Sequence, residues 1–251
     1  MMTVARAYDA IAHEYDAHLA SDPVAGYMRA RLHEHMRRLF HPGDHVLDLS
    51  AGTGTDACYL AALGVQVTAI DASPRMIAEL KRVAARSDVQ IDARVLPAES
   101  LDELDSHDLA GAISTFAGLN TMGGLPRLAL NLAERLKPHG RVVLHALNIS
   151  SFCKWAARLS GSGLDSGGTR EVFIGGQMVS HQLYSPFALW RVAFADHFDI
   201  RRVYGLSVVA GLPLIKRFPY AVRPLFALDR ILGRVFPAAG DFFVIELEKR
   251  D

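Results

Sequence analysis

Hydrophobic positions along this chain follow two different periods, and the two periods alternate. Short, largely apolar runs predict buried strands over His45–Leu49, Val65–Ile70, Val89–Val95, Asp108–Ser114 and Arg141–Asn148. The segments between them carry apolar residues three and four positions apart, which predicts helices. This alternation of strands and helices predicts a doubly wound α/β sheet, because parallel strands need helical crossovers.

The segments on either side of this alternation predict further elements. Residues 1–40 have helical spacing, and Gly175 and Gly176 separate two apolar runs that predict a β-hairpin. Short helices are expected over Ser151–Leu159 and from Ser185 to about Phe194, and late strands over Phe198–Val209 and Asp241–Glu248. We predict one domain over residues 1–251, made of a helical N-terminal segment (1–40), a core (41–148), an insertion (149–184) and a C-terminal part (185–251).

Composition excludes several classes of function. The formal net charge is zero, so charge gives no reason to expect a nucleic-acid partner. Two cysteines, Cys58 and Cys153, form neither a disulfide framework nor a zinc-binding pair, and we expect no metal. No uncharged apolar run approaches the ~18 residues of a membrane span, and the N-terminus carries charges where a secretion signal would be apolar. A cytoplasmic protein is expected.

The stretch Val46–Ala57 predicts a strand, a glycine turn and the first turn of a helix. Gly52 and Gly54 allow positive φ and a close approach of backbone N–H groups to a ligand, which the helix N-terminus also attracts. The loose G-x-G-x-x-A order is typical of dinucleotide sites. Asp48 argues against a dinucleotide, because a carboxylate at the strand mouth would repel a pyrophosphate by roughly 1–4 kcal/mol. It would favour a ligand with an ammonium or sulfonium charge.

With Asp48 in this position, the stretch resembles motif I of the class I S-adenosylmethionine (SAM)-dependent methyltransferases. Asp71 closes the second predicted strand, and its two oxygens can accept hydrogen bonds from both hydroxyls of a ribose. The resemblance implies a Rossmann-like sheet of seven strands with the last one antiparallel. It also implies SAM as cofactor and methyl transfer to O, N or C of a small-molecule acceptor.

The same resemblance implies which residues contact the cofactor. Beside Asp48 and Asp71 these are Ser50, Ala51, Gly52, Gly54, Ala72, Met76, Ala98, Glu99, Ser114, Thr115 and Phe116. Ser50 replaces the first glycine of the motif. Pro97 replaces the aspartate that bonds the adenine amino group in many relatives, so Ala98 backbone or the Glu99 side chain must serve there.

Candidate catalytic and acceptor-binding residues lie outside the motif. The N-terminal pattern around Tyr8 and Tyr15 resembles a helix that closes over SAM and substrate, with Tyr15 near the methionine end; packing residues are the other interpretation. His145, near the mouth of its strand, is either a general base or structural. Three further acceptor contacts are expected, each with a structural alternative: Asn120 (or a helix N-cap), His181 and Tyr184 (or hairpin surface residues).

The segment 212–236 combines Leu, Phe and Pro with five basic residues and one acidic residue, Asp229. Such a segment either lies on a membrane surface or over a hydrophobic substrate, or forms a helical cap with a solvated basic face.

The leading hypothesis is thus a SAM-dependent methyltransferase for a small, apolar or lipid-like acceptor. Ser50 and Pro97 motivate an alternative, an inactive regulatory protein that binds SAM or its product. The sequence does not indicate an oligomeric state.

Overall fold

The computed structural model describes residues 2–151 and 168–251. The strands of these residues are β1 (His45–Leu49), β2 (Gln66–Asp71), β3 (Asp92–Val95), β4 (Leu109–Ser114), β5 (Leu136–Leu147), β6 (Thr169–Ile174), β7 (Gln177–Gln182), β8 (Phe198–Leu206) and β9 (Phe242–Lys249). The α-helices are α1 (Met2–Ile11), α2 (Tyr15–Ala20), α3 (Pro23–Leu39), α4 (Thr55–Ala62), α5 (Pro74–Arg86), α6 (Leu125–Arg135), α7 (Pro186–Leu189), α8 (Leu212–Arg217) and α9 (Val222–Val235).

Seven strands form one mixed sheet in the order β3-β2-β1-β4-β5-β9-β8. The strands β1 to β5 pair in parallel, whereas β9 is antiparallel to both β5 and β8. The predicted doubly wound, Rossmann-like sheet with an antiparallel last strand is therefore confirmed. The strand order reverses between β1 and β4, and ligands of such sheets bind beyond the carboxyl ends of the strands at this position.

Helices bury both faces of the sheet. On one face, Val46 of β1 packs in a cluster with Leu32 of α3 and Leu80 of α5. On the other face, Leu47 packs with Leu132 of α6. Neighbouring residues of β1 thus enter opposite hydrophobic layers, which is why apolar residues stand on both faces of the strand.

Several element boundaries differ from the sequence-based expectation. The N-terminal region forms three helices, the last of which begins at Pro23, where the Asp22 side chain accepts a hydrogen bond from Val24 N–H. The strand β3 begins at Asp92 because Val89 N–H instead bonds the Ala84 carbonyl and closes the end of α5. The expected helix from Ser185 to Phe194 is α7 followed by a π-helical turn over Trp190–Phe194.

The strands β6 and β7 form the predicted hairpin. Gly175 and Gly176 occupy its two-residue turn with φ of 54° and 82°, a conformation that hairpin turns of this length require. The tip packs on α1, since a Cβ at Gly175 would lie 2.1 Å from the Ala7 carbonyl oxygen. The predicted helix over Ser151–Leu159 lies outside the described residues apart from Ser151, and so does Cys153.

The segment between β8 and β9 carries α8 and α9. Asp229 of α9 is fully buried and accepts hydrogen bonds from the backbone N–H groups of Ser207, Val209 and Ala210. These bonds fix the orientation of α9 against the loop that follows β8. Within residues 2–151 and 168–251, every helix is too short or too polar to cross a membrane.

Candidate functional site

A cavity opens at the carboxyl ends of β1, β2 and β4, beneath α1 and α2. Residues predicted from the sequence form much of its wall: Tyr8, Tyr15, Ser50, Ala51, Gly52, Asp71, Ala72, Met76, Ala98, Glu99, Thr115 and Phe116. Further wall residues were not predicted: Val4, Ala5, Arg29, Thr53, Thr55, Asp56, Gly118, Thr121 and Met122. The structure thus brings the motif residues and the N-terminal tyrosines together.

The glycine turn after β1 has the expected positive φ values, but its two glycines have different structural roles. Gly52 has φ 55° and lines the cavity. Gly54 has φ 81°, and its missing side chain leaves room for Leu80, whose Cγ would lie 2.4 Å from a Cβ there. Gly54 therefore allows α4 and α5 to pack closely, and it is not among the residues that line the cavity, so its cofactor contact stays a prediction.

Ser50 adopts the left-handed conformation that the replaced glycine would favour, with φ 55°. Its Oγ lies near Gly118, where a Cβ would be 1.9 Å from that oxygen and 2.8 Å from Ser50 Cβ. A glycine at position 118 thus makes room for the serine at position 50. Ser114, predicted to contact the cofactor, is fully buried behind Ser50 with the two Oγ atoms 3.4 Å apart, and it does not line the cavity.

Asp71 ends β2 at the cavity wall with both oxygens oriented by backbone donors. Its Oδ2 accepts a hydrogen bond from Gly52 N–H at 2.9 Å, and its Oδ1 accepts one from Ser73 N–H at 2.8 Å. Burial raises the pKa of Asp71, and these two N–H groups partly offset that rise. Each oxygen of an ionised carboxylate can accept a second hydrogen bond, so Asp71 can still bind a pair of ligand hydroxyls.

Asp48 lies beneath the cavity, not in its wall. Its carboxyl group is 1% exposed, and neither oxygen has a hydrogen-bond partner within the described part of the chain. Burial raises the pKa of Asp48 well above its usual range, and the nearby charges of Asp56 and Asp71 raise it further. The sequence predicted that Asp48 meets the ligand charge at the strand mouth; in the structure it shares the face of β1 that carries Val46, and its carboxyl group is buried beneath the wall.

Asp56 supplies the carboxylate that the sequence had suggested for Asp48. It stands in the first turn of α4 and lines the cavity, with Oδ1 2.7 Å from His33 Nε2 and Oδ2 accepting from Thr115 Oγ1 at 2.8 Å. Arg29 donates to Oδ1 at 3.3 Å. Burial alone would raise the pKa of Asp56, but the His33 hydrogen bond and the Arg29 charge outweigh burial and lower it. Asp56 is therefore a carboxylate at neutral pH.

Two aspartates hold the N-terminal helices over the cavity. Asp9 accepts hydrogen bonds from Ser73 Oγ at 2.5 Å and Arg75 N–H at 3.0 Å, at the start of α5. Asp16 accepts from Thr53 Oγ1 at 2.6 Å in the glycine turn. The sequence pattern that pairs each tyrosine with a following aspartate thus encodes both the cavity wall and its attachment.

Tyr8 and Tyr15 meet edge to face, with ring centroids 6.2 Å apart. Burial raises the pKa of Tyr8 to about 12, and Asp71 adds to the rise. Burial also raises the pKa of Tyr15. Both side chains are neutral phenols at physiological pH, so they can donate hydrogen bonds but cannot act as bases there.

His145 is buried behind the cavity wall. Its Nδ1 accepts a hydrogen bond from Phe116 N–H at 3.0 Å, and its ring lies between the rings of Phe116 and Phe242. Burial lowers its pKa to about 4. The side chain is 0% exposed and absent from the cavity wall, so the predicted contact with an acceptor is corrected: His145 fixes the loop that carries Phe116.

The other predicted acceptor contacts lie outside this cavity, although Asn120 lines a second cavity beside it. The Asn120 amide bonds backbone groups of Leu147 and Gln182, so it joins β5 to β7 and does not cap a helix. His181 is buried with Nδ1 3.2 Å from the Val179 carbonyl oxygen. Tyr184 forms an isolated backbone bridge with Asn148. The hairpin and its flanks use these residues for their own structure.

A second, more open cavity adjoins the first between β7 and the start of α6. The two share Glu99, Thr121 and Met122 in their walls. The Glu99 side chain accepts a hydrogen bond from Gly123 N–H at 2.9 Å and so stands between the cavities. A molecule in the second cavity would lie beside a ligand in the first.

Comparisons with known proteins agree with this geometry. Residues 46–140 match a family described as a methyltransferase domain. Curated relatives include the ubiquinone biosynthesis O-methyltransferases of Xanthomonas axonopodis pv. citri (strain 306), 31% identical over 137 residues, and Xanthomonas oryzae pv. oryzae (strain PXO99A), 32% identical over 136 residues. Each alignment covers 53% of this chain and 56% of the relative, so the chain spans little more than half the length of the curated relatives it matches.

Solved structures share the fold at low sequence identity. One is the 1,6-didemethyltoxoflavin-N1-methyltransferase of Burkholderia thailandensis with bound 1,6-didemethyltoxoflavin and S-adenosylhomocysteine, with a TM-score of 0.55 and 18% identity over 96% of this chain and 84% of that chain. Another is the PH0226 protein of Pyrococcus horikoshii OT3, with a TM-score of 0.60 and 15% identity over 95% of this chain and 92% of that chain. At these identities the likeness concerns the fold.

Proposed function

We propose that this chain, which carries a class I SAM-dependent methyltransferase domain, transfers the methyl group of SAM to a small-molecule acceptor. The observation that carries this function is Asp71, oriented by Gly52 and Ser73 N–H groups at the end of β2 with acceptor capacity left for a ribose. The matched family covers residues 46–140, and the curated relatives are longer than the matched part.

The remaining wall residues suit the rest of the SAM molecule. Ala72, Met76 and Ala98 offer apolar surface of the kind that an adenine ring packs against. The ionised Asp56 offers a negative charge for the cationic methionine portion. Asp48, which lies close enough to Asp56 and Asp71 for charge coupling, adds an acidic group beneath the same wall. The apolar end of the cavity therefore suits the adenine ring, and the acidic end suits the cationic methionine portion.

SAM supplies an electrophilic methyl group on a sulfonium centre, and the chain supplies alignment. Such transfers depend mainly on holding the nucleophile in line with the methyl group, worth as much as ~7–11 kcal/mol of the barrier. Tyr8 and Tyr15 cover the cavity, exclude water and can donate hydrogen bonds as neutral phenols. This function needs no histidine as general base, and we assign no catalytic role to His145.

The acceptor is proposed to be small and apolar or lipid-like. Support for this acceptor class comes from relatives that bear the name of ubiquinone biosynthesis O-methyltransferases. The second cavity adjoins the cofactor cavity at Thr121 and Met122 and offers space for an acceptor, and its largely polar wall suits the polar end of such a molecule. Oxygen, nitrogen and carbon remain open as the methylated atom. The expected cytoplasmic location belongs to the same proposal, and so does the single-domain organisation.

Calorimetric titration with SAM, S-adenosylhomocysteine and NADH tests the cofactor. We expect the wild type and the control Asp199→Asn to bind SAM and its product; Asp199 is a half-exposed residue of β8 that pairs with Arg250. The variant Asp71→Asn should bind both at least about tenfold more weakly, because the lost charge weakens acceptance of two hydroxyl groups. Binding of NADH without SAM would refute the cofactor assignment.

Methyl transfer from radiolabelled SAM to a panel of apolar phenols, amines and lipid-like acids tests the reaction. Transfer that depends on Asp71 and not on Asp199 is the expected result. Tight product binding with no transfer to any acceptor would instead favour the inactive regulatory alternative that Ser50 motivates.

A further inference from the structure

Helix α9 has one face packed on the protein and a second apolar face exposed to solvent. On the inner face, Phe226 stacks on Tyr27 of α3 with ring centroids 4.3 Å apart, and Asp229 is fully buried. On the outer face, Leu228, Ile231 and Val235 are 46%, 60% and 61% exposed. Their spacing of three and four residues places them in one stripe. A solvated cap would carry polar residues at these positions.

Arginines border one edge of this apolar stripe. At 100° per residue, Arg223, Arg230 and Arg234 fall together on the side of α9 next to Ile231. Arg230 pairs with Glu34 at 2.7 Å, whereas Arg223 and Arg234 make no ion pair within the described residues. The two ends of the helix carry exposed aromatic side chains, Tyr220 at 83% and Phe236 at 54%.

The orientation of α9 is fixed, so the stripe cannot turn inward. Asp229 holds three backbone N–H groups of the loop over Ser207–Ala210, on the side of the helix opposite to Ile231. Breaking these bonds would leave the buried Asp229 oxygens without these donors, which is unfavourable for a buried polar group. The exposed apolar stripe is therefore a persistent feature of the fold.

We propose that the outer face of α9 docks on the surface of an anionic lipid bilayer. An apolar stripe with arginines along its edge and aromatic residues at its ends matches the acyl boundary, the anionic headgroups and the interface of such a bilayer. A second copy of this chain is the less suitable occupant, because α9 has no acidic residue other than the buried Asp229 to receive the arginines.

Docking goes beyond methyl transfer and does not depend on it. Helix α3 contacts both regions, since Tyr27 stacks on Phe226 of α9 and Arg29 lines the cofactor cavity. The partner is defined by chemistry alone: a fluid bilayer with exposed anionic headgroups.

Vesicle co-sedimentation of the full chain tests the docking surface. Vesicles of phosphatidylcholine are compared with vesicles of equal parts phosphatidylcholine and phosphatidylglycerol. We expect the wild type to bind the anionic vesicles, more weakly as salt is added. The double variant Ile231→Glu/Val235→Glu should lose at least about tenfold in partitioning, because two apolar side chains no longer enter the bilayer. The variant Arg223→Gln/Arg234→Gln should lose about fivefold per arginine on anionic vesicles only.

A matched control separates this face from general surface hydrophobicity. Val192 is 75% exposed in the π-helical turn, and Val192→Glu should leave vesicle binding unchanged. Thermal unfolding and S-adenosylhomocysteine binding check that each variant is folded. Wild type that does not bind anionic vesicles, or binding that Ile231→Glu/Val235→Glu leaves intact, overturns docking. A wild-type dimer that this variant dissociates in analytical ultracentrifugation makes a second copy the occupant and also overturns it.

Discussion

Replacing Gly118 by alanine probes how the loop after β4 accommodates a serine at position 50. The backbone of Gly118 has no unusual φ and begins a 3-10 turn over Gly118–Thr121, so alanine is allowed there by its own conformation. The obstacle is Ser50, whose Oγ and Cβ would lie 1.9 and 2.8 Å from the new Cβ. The Oγ can rotate away, but the Cβ cannot. The penalty of alanine at 118 therefore depends on the residue at 50.

The magnitude follows from two opposing terms. Overpacking of this kind lowers the free energy of unfolding by about 1–3 kcal/mol. A glycine replaced by alanine in a compatible conformation gains about 0.4–1 kcal/mol from the unfolded chain. We expect Gly118→Ala to destabilise the wild type by about 1–2 kcal/mol. In the Ser50→Gly background the nearest remaining atom is Ser114 Oγ at 3.5 Å, an ordinary contact, so the same change should stabilise by about 0.5 kcal/mol.

Urea unfolding of the wild type, both single variants and the double variant measures the coupling. A coupling free energy of about 2 kcal/mol between positions 50 and 118 is expected. The control is Gly123→Ala, where a new Cβ would meet no atom closer than Glu99 Oε1 at 4.0 Å; it should change stability equally in both backgrounds. A coupling near zero, or a loss at Gly118→Ala that Ser50→Gly does not relieve, would refute the reasoning.

Three further predictions concern the acidic and imidazole groups. Burial raises the pKa of Asp71, so the affinity for S-adenosylhomocysteine measured by calorimetry should weaken as the pH falls toward that raised value. The variant Asp71→Asn should remove this pH dependence of the affinity. The same pH profile in the variant and the wild type would contradict the role of Asp71. Asp56→Asn should destabilise the fold by about 1–3 kcal/mol in thermal unfolding at neutral pH. The loss should shrink at acidic pH, because the wild-type carboxylate is protonated as the pH falls through its lowered pKa. Equal melting temperatures at neutral pH would count against the hydrogen bonds of Asp56 with His33, Arg29 and Thr115. The pKa of His145 is about 4 in the folded chain and ~6.5 when unfolded, so the unfolded state binds more protons between these values and wild-type stability should rise by about 3 kcal/mol from pH 4 to ~6.5. His145→Gln should flatten this part of the urea-derived stability profile, and an unaltered slope would mean that another group titrates there.

Patterns of neighbouring residues along the chain predicted the sheet and the part of the site that contains Asp71. The period of the apolar runs fixed the strand and helix types, and the end of β2 identified Asp71 without any knowledge of its neighbours. Ser50 was recognised as the departure from the motif, and the structure gives it the left-handed backbone of the glycine it replaces. These features depend on residues close together in sequence.

Residues whose placement depends on distant contacts were predicted less well. Asp48 and His145 stand near strand ends. Asp48 comes two residues after Val46, and His145 comes two residues after Val143. Both valines pack in the hydrophobic layer that includes α3. The period of two was therefore enough to show that both point into the helix layer, but not how deeply that layer covers them. Arg29 reaches the cavity only because α3 docks beside α4, and no local pattern encodes that docking.

The contact between the hairpin tip and α1 has a consequence for the timing of ligand exchange. Helix α1 is held from two sides, by Asp9 on the first turn of α5 and by Gly175 against the Ala7 carbonyl. Both attachments hold this helix over the cavity and resist its displacement when a ligand enters or leaves. The insertion after β5 contributes one of them, although its tip touches neither cavity wall. A chain with identical cavity walls but a differently placed insertion would therefore exchange its ligand at a different rate.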